Sequence, residues 1–411
     1  MVNTEQFFSK SVRRAQSDLK HGILGSYLAA FASKTGSTSA GNRVGFVDGY
    51  SGPGEYVHSG SGLTTEGSPK IALRVAADLA KNRRPTYLEC MFVEQKKEYF
   101  ESVAALASAA PTVAKAFHGD VKTHLNSALS QFKGIPALVF LDPFGAGLDR
   151  ETCIKDILSR DGTAPTELLM NFSLEAIRRT GPWVKKPVGT TSREAMLKTM
   201  DLWLGGDWWQ DIFQKVDPSV PDAVDTAASE VANEYARRVH QRTGCGVFPV
   251  PMRRAANHKP LFTLMLFFPR SVAVFPYNEA VSLAQDKWRE AMWGLDIAAA
   301  TKEVDRNPIL GGAYIDSVRA AAEADKEQFK TDTIATVRES IRTTLASQNS
   351  ISMKTECSRA FGSAMGTGRS LHLRAAWDEL TAAGITEPRD KSLKSLERAV
   401  IRKVDRQLPS F

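Results

Sequence analysis

The sequence predicts an α/β protein: an open, mostly parallel sheet with helices on both faces, then a C-terminal helical module. Three observations predict it. Short apolar runs alternate with helical patterns from Val44 to Asn171, the signature of strands joined by crossover helices. Four successive runs end on, or are followed within three residues by, an acidic residue: Asp48, Glu94, Asp120 and Asp142. After Trp293 the alternation stops and only helical patterns remain. The expected division is residues 1–295, with a helical insertion at about 174–243, and residues 296–411.

Each element has its own warrant. Residues 5–33 read as a helix, because Leu19, Ile23, Leu24, Tyr27, Leu28 and Phe31 recur on one face. Lys20 and His21 sit in that helix, where a solvated turn is the plain reading. A Gly/Ser/Thr-rich loop leads to the first strand, Val44–Asp48, and to the turn Gly49-Tyr50-Ser51-Gly52-Pro53-Gly54. Glycines there permit positive φ and the close approach of a ligand. Gly67-Ser68-Pro69 opens a helix with proline in its first turn. The next strands are Tyr87–Val93, Val113–Phe117, Ala137–Leu141 and Glu167–Asn171. The insertion holds Trp183, Trp203, Trp208 and Trp209, expected to fill a small core rather than to stack on a base. Val247–Val250 and Leu261–Phe268 would complete a seven-stranded sheet with an antiparallel finish. Their connection, Arg253-Arg254-Ala255-Ala256-Asn257-His258-Lys259-Pro260, is either a hairpin tip or a phosphate contact.

Beyond Trp293, helices are expected over Thr331–Ser347, Lys354–Met365 and Ser370–Ala383, with the turn Gly366-Thr367-Gly368 before the last. This order resembles a helix-turn-helix or winged-helix module. Arg369, His372 and Arg374 stand near the start of its third helix, and the tail adds Arg389, Lys391, Lys394, Arg398, Arg402, Lys403 and Arg406. The basic excess points to nucleic acid; the alternative is a protein-docking domain with a solvated face.

Composition sets the outer bounds. The chain has 411 residues, 43% hydrophobic and 24% charged, which suits a globular protein of two or three domains. A net charge of +7 permits an anionic partner without demanding one. The four cysteines are scattered, so free buried thiols are expected, and the seven histidines form no metal motif. With no signal peptide and no membrane-length apolar run, a cytoplasmic protein is expected.

Asp48, Glu94, Asp120 and Asp142 would share one crevice, because the C-terminal ends of parallel strands lie along one sheet edge. An acid after the second strand can accept hydrogen bonds from both hydroxyls of a ribose. One after the third can take the amine of adenine, and one after the fourth lies where a substrate would sit. Each is alternatively a helix N-cap, a position that favours aspartate.

The motifs in order carry a resemblance. Phe46-Val47-Asp48-Gly49-Tyr50-Ser51-Gly52-Pro53-Gly54, Glu66-Gly67-Ser68-Pro69, Phe92-Val93-Glu94, Gly119-Asp120, Phe140-Leu141-Asp142-Pro143-Phe144-Gly145 and Asn171-Phe172 resemble the three-Cys-motif partner family over roughly the first 270 residues. That resemblance implies a Rossmann-like, S-adenosylmethionine-dependent methyltransferase fold and a separately encoded three-cysteine companion. Asp18-Leu19-Lys20-His21, the glycine turn with Tyr56 beyond it, and Gly67-Ser68-Pro69 also resemble the J-type ribosomal RNA adenine-N6 methyltransferases. Together the resemblances imply cofactor contacts from Lys20, His21, Asp48, Tyr50, Ser51, Gly52, Gly54, Ser68, Glu94, Asp120 and Val121.

Asp142-Pro143-Phe144-Gly145 is similar to the motif of the tRNA guanine-N2 dimethyltransferases. It implies that Asp142 accepts a hydrogen of an exocyclic base amine, with the Pro143 carbonyl as helper and Phe144 stacking on the base. Adenine-N6 enzymes read Asp-Pro-Pro-Tyr, whereas here phenylalanine is third and glycine fourth, a departure that bears on the acceptor and not on the cofactor positions. The expected activity is methylation of a nucleobase amine in RNA or DNA. The alternative is a non-catalytic docking partner of the three-cysteine companion, in a phage-defence or modification system.

Overall fold

The computed structural model describes residues 4–57, 64–160, 164–187, 189, 191–217, 219–255 and 258–405. Ala256 and Asn257 of the basic connection, and Arg406 of the tail, lie outside them. By internal packing the chain divides into Leu24–Arg270 and a second unit made of Met1–Ile23 with Ser271–Phe411. The sequence-based boundary at 295 falls inside a continuous helix.

The chain opens with α1 (Thr4–Gly36), which carries the division between the units. In the first unit follow β1 (Arg43–Asp48), the short hairpin β2 (Glu55–Val57) and β3 (Thr64–Glu66), and α2 (Ser68–Ala80). Next come β4 (Tyr87–Glu94), α3 (Lys97–Ala109), β5 (Ala114–His118), α4 (Val121–Ser130) and β6 (Ala137–Leu141). A short α5 (Arg150–Thr152) runs into a π-type turn, Cys153–Leu158, before β7 (Thr166–Ser173). The insertion holds α6 (Leu174–Thr180), α7 (Thr191–Leu204), α8 (Trp208–Gln214) and α9 (Ala223–Thr243). β8 (Gly246–Met252) and β9 (Phe262–Phe268) end the unit.

The seven strands form one sheet in the order β5-β4-β1-β6-β7-β9-β8. β1, β4, β5, β6 and β7 pair in parallel, while β9 runs antiparallel to both β7 and β8. β6 and β7 are buried throughout, and β1 and β4 nearly so, which is why they read as continuous apolar runs. Pro249 and Pro251, which lack an N–H to donate, lie in the edge strand β8. Gly45 is required in β1, because a Cβ there would fall 2.4 Å from the Phe132 ring. Trp203 and Trp209 are buried in the main core, as expected of the insertion's tryptophans, and all four cysteines are free and buried.

The second unit is built on α10 (Val274–Arg306) and α11 (Gly311–Ser347), which pack on one another across the link Pro308–Leu310. Both are longer than their sequence pattern signals. Their distal halves are rich in alanine and charge, with no apolar face to read, and Ile309 in the link is 94% exposed. β10 (Ser350–Ser352), α12 (Met353–Phe361), α13 (Ser370–Ala382) and β11 (Val400–Arg402) complete it. β10 and β11 pair antiparallel, with an added bridge from Thr386 to Lys403. Val337, Ile341, Ile351, Phe361, Leu373, Trp377 and Ile401 share one core. Among the described residues no helix is long and apolar enough to cross a membrane.

Candidate cofactor and acceptor site

Three adjacent strands set the site. β4, β1 and β6 are neighbours, and register places Asp48 opposite Phe92 of β4 and Phe140 of β6. Asp48, Glu94 and Asp142, three of the four acids read as sharing one crevice, therefore end up along one edge of the sheet. Asp48 is fully buried, and its Oδ1 accepts the Tyr50 N–H at 3.2 Å.

The glycine turn is tied to β4 at several points. The Ser51 backbone N–H and hydroxyl both donate to the Val93 carbonyl, at 3.1 and 2.9 Å. The Ser51 side chain is thus engaged in shaping the turn. Gly52 has φ +65° and Gly54 φ +78°, backbone that L side chains rarely adopt. Glu94 locks the turn from the next strand: one oxygen accepts the Gly52 N–H at 2.7 Å and the other the Lys96 N–H at 2.7 Å. Each carboxylate oxygen has a second lone pair, so Glu94 keeps acceptor capacity. The Gly67 N–H donates to the Gly54 carbonyl at 2.8 Å, which seats the buried Ser68 and Pro69 at the start of α2 beside the turn.

Asp120 is the N-cap of α4 and accepts the Lys122 N–H at 2.8 Å, so the capping role held open for it is real. It is exposed, and a second oxygen remains for another donor. The Val121 side chain is buried in the core, leaving its backbone N–H as its means of contact. Burial, more than nearby Cys153, Asp120 and Asp149, pushes the Tyr50 phenol well above its ordinary range.

Beyond the end of β6 the Asn171 amide donates to Asp142 Oδ1 at 2.8 Å. A carboxylate only accepts, so the amide nitrogen has to face it. Pro143 is buried, whereas Phe144 stands 89% exposed. Two contributors entered the sequence reading only within motifs, with no role assigned to either. Asn171 was visible only as part of a motif, and its hold on Asp142 depends on β6 and β7 being neighbours. Tyr56 follows the glycine turn in β2, and its hydroxyl stands 2.6 Å from where a Gly52 Cβ would fall. Partial burial, then the charges of Asp142, Asp48 and Glu94 among its neighbours, push its pKa up to about 12.

Lys20 and His21 lie on the part of α1 that belongs to the second unit, where both are half-buried. The nucleic-acid expectation for the third helix needs correction. His372 is 3% exposed, and its Nδ1 accepts the Arg369 N–H at 3.1 Å, capping α13. Burial lowers its pKa to about 4. Arg369 donates to Asp286 of α10 at 2.9 Å. The buried His372 ring is committed to the cap, the half-buried Arg369 is paired, and Arg374 is half-buried. In the β8–β9 connection Arg253 is exposed and Arg254 half-buried, while Lys259 pairs with Asp222 and Asp225 of α9.

No family model matches the chain, and no curated protein matches it. Among solved structures it is similar to protein LPL1258 of Legionella pneumophila str. Philadelphia 1, described under the family model DUF519. The identity is 11% and the TM-score 0.33, over 60% of this chain and 83% of that one. So distant a likeness assigns neither a family nor an activity. What stands is a mixed α/β fold with a seven-stranded, mostly parallel sheet.

Proposed function

We propose that the chain is an S-adenosylmethionine-dependent methyltransferase acting on an exocyclic amine of a nucleobase in RNA or DNA. The observation that carries the reading is the alignment of Asp48, Glu94 and Asp142 at the ends of β1, β4 and β6, around a turn with two glycines at positive φ. The strand order, with β9 antiparallel between β7 and β8, fits the sheet expected from the resemblance.

The residues present fit the cofactor. Gly52 and Gly54 hold the turn at positive φ where a Cβ would strike the Tyr56 hydroxyl or the Leu106 side chain, and the acids beside the turn supply acceptors for hydroxyl and amine groups. Glu94 would hold the ribose hydroxyls, and Asp120 with the Val121 N–H would bind the adenine edge. S-adenosylmethionine, when bound, supplies an electrophilic methyl carbon on a sulfonium. Asp142, oriented by Asn171, accepts a hydrogen of the amine, whose lone pair is otherwise delocalised into the ring. Phe144 offers its exposed face to the base once that base is out of its stack. Catalysis by these residues is chiefly positioning.

The exposed Phe144 also carries the second reading, in which the same loop docks a three-cysteine companion and no methyl is transferred. Calorimetric titration with S-adenosylmethionine and S-adenosylhomocysteine separates the two. Binding by the wild type that is lost in Glu94→Ala and kept in Asp142→Asn supports the enzyme. A folded wild type that binds neither compound sinks it.

A further inference from the structure

We infer that the second unit grips a phosphodiester backbone through the β10–β11 sheet and the segment before β11, not through α13. The inference rests on the nucleic-acid part of the proposed function and is independent of methyl transfer. The helix that would enter a groove in a helix-turn-helix module is poorly suited to a polyanion. Its first-turn His372 is buried in a cap, and its N-cap residue Arg369 is paired to Asp286. Its exposed face presents Asp378 and Glu379, themselves paired to Arg389 and Arg338.

The small sheet is the opposite. Ile351 and Ile401 face each other in register and are buried, which turns the other side of both strands outward. That side carries Ser350 opposite Arg402 and Ser352 opposite Val400, with no acid among them. Exposed Lys354 follows in the first turn of α12. The segment running from the Thr386 bridge to β11 adds Lys391, Lys394 and Arg398, and Lys403 follows the strand. Lys391, Lys394, Arg398, Arg402 and Lys403 are all exposed, and none of the five forms an ion pair among the described residues. Asp390 and Glu397 lie in the same segment, yet the five cations outnumber them and are not paired to them; such cations and the strand hydroxyls are donors suited to phosphate oxygens, which position a nucleic acid without reading its sequence.

The test is fluorescence anisotropy of the full chain with a labelled single-stranded RNA and a duplex DNA of matching sequence. Salt is varied from about 50 to 200 mM. The variant changes Lys391, Lys394, Arg398, Arg402 and Lys403 to Gln together; all five are exposed, and a melting curve confirms the fold. The expected loss is a salt slope shallower by about 3 to 4 on the RNA or by about 4 to 5 on the duplex. Arg374→Ala should leave the slope within one contact. Which arm binds decides between RNA and DNA. Binding unchanged by the five substitutions overturns the inference, as does displacement by polyglutamate as effective as by unlabelled nucleic acid. So does a wild type that binds neither probe. Titration with S-adenosylhomocysteine on the same samples reports separately on the methyltransferase reading.

Discussion

The edge of the large sheet and the start of α13 both hold polar residues that the sequence singles out, and they use them in opposite ways. At the sheet edge Glu94 and Asp142 bond to neighbouring loops and strands yet stay partly exposed. At the start of α13 the polar groups serve the fold: His372 caps the helix and Arg369 answers Asp286. Asn278 and Ser282 of α10 stitch the preceding turn, through bonds to Gly366, Gly368 and Thr367. A polar residue at a strand end is placed by topology. A polar residue in a helical turn is placed by whatever packs against it.

The contrast can be broken by mutation. The largest expected effect is Asp142→Asn, which should cut methyl transfer by about a thousandfold, roughly 4 kcal/mol of barrier, with S-adenosylhomocysteine affinity kept. A comparable loss of thermal stability instead would make Asp142 structural, like His372. Next, His372→Ala should destabilise the second unit by about 2–3 kcal/mol in denaturant unfolding, without altering the salt slope of nucleic-acid binding.

Acid should act on His372 and Glu167 in opposite directions. Burial holds His372 near 4, below its ordinary 6.5, so its contribution is complete above pH 6.5 and is lost as pH falls toward 4. Glu167 is fully buried and accepts the Tyr27 hydroxyl at 2.5 Å. Desolvation raises its pKa from 4.5 to about 7, so its contribution is complete below pH 4.5 and is lost as pH rises through 7. Each swing is on the order of 3 kcal/mol. Melting of His372→Gln and Glu167→Gln across this range should flatten one slope each, and parallel slopes in both variants would refute the assignment. The smallest effect expected is Phe144→Ser, within about 0.5 kcal/mol of wild-type stability because the ring is exposed, though it should weaken acceptor or companion binding.

Much of the sheet was legible because its central strands are buried on both faces and leave unbroken apolar runs. The strand-end acids followed from the same runs, since the end of a strand fixes which residue reaches the edge. Tyr56 was not legible as a contributor, because β2 is three residues long and its approach to Gly52 is made by the fold of the hairpin. Asn171 needed knowledge of which strands are neighbours. The long α10 and α11 were missed because alanine and charge surround their distal turns, leaving no stripe to detect. The burial of His372 depends on α13 packing against its neighbours, which periodicity alone does not encode.

The bond from the Gly52 N–H to Glu94 has a practical consequence. The acid proposed to grip the ribose also fixes one backbone amide in a turn of positive φ. Any ligand that draws on the carboxylate's lone pairs must alter that amide's electronic surroundings. The Gly52 amide resonance is therefore a built-in occupancy signal, readable by nuclear magnetic resonance on unmodified protein before any acceptor is known.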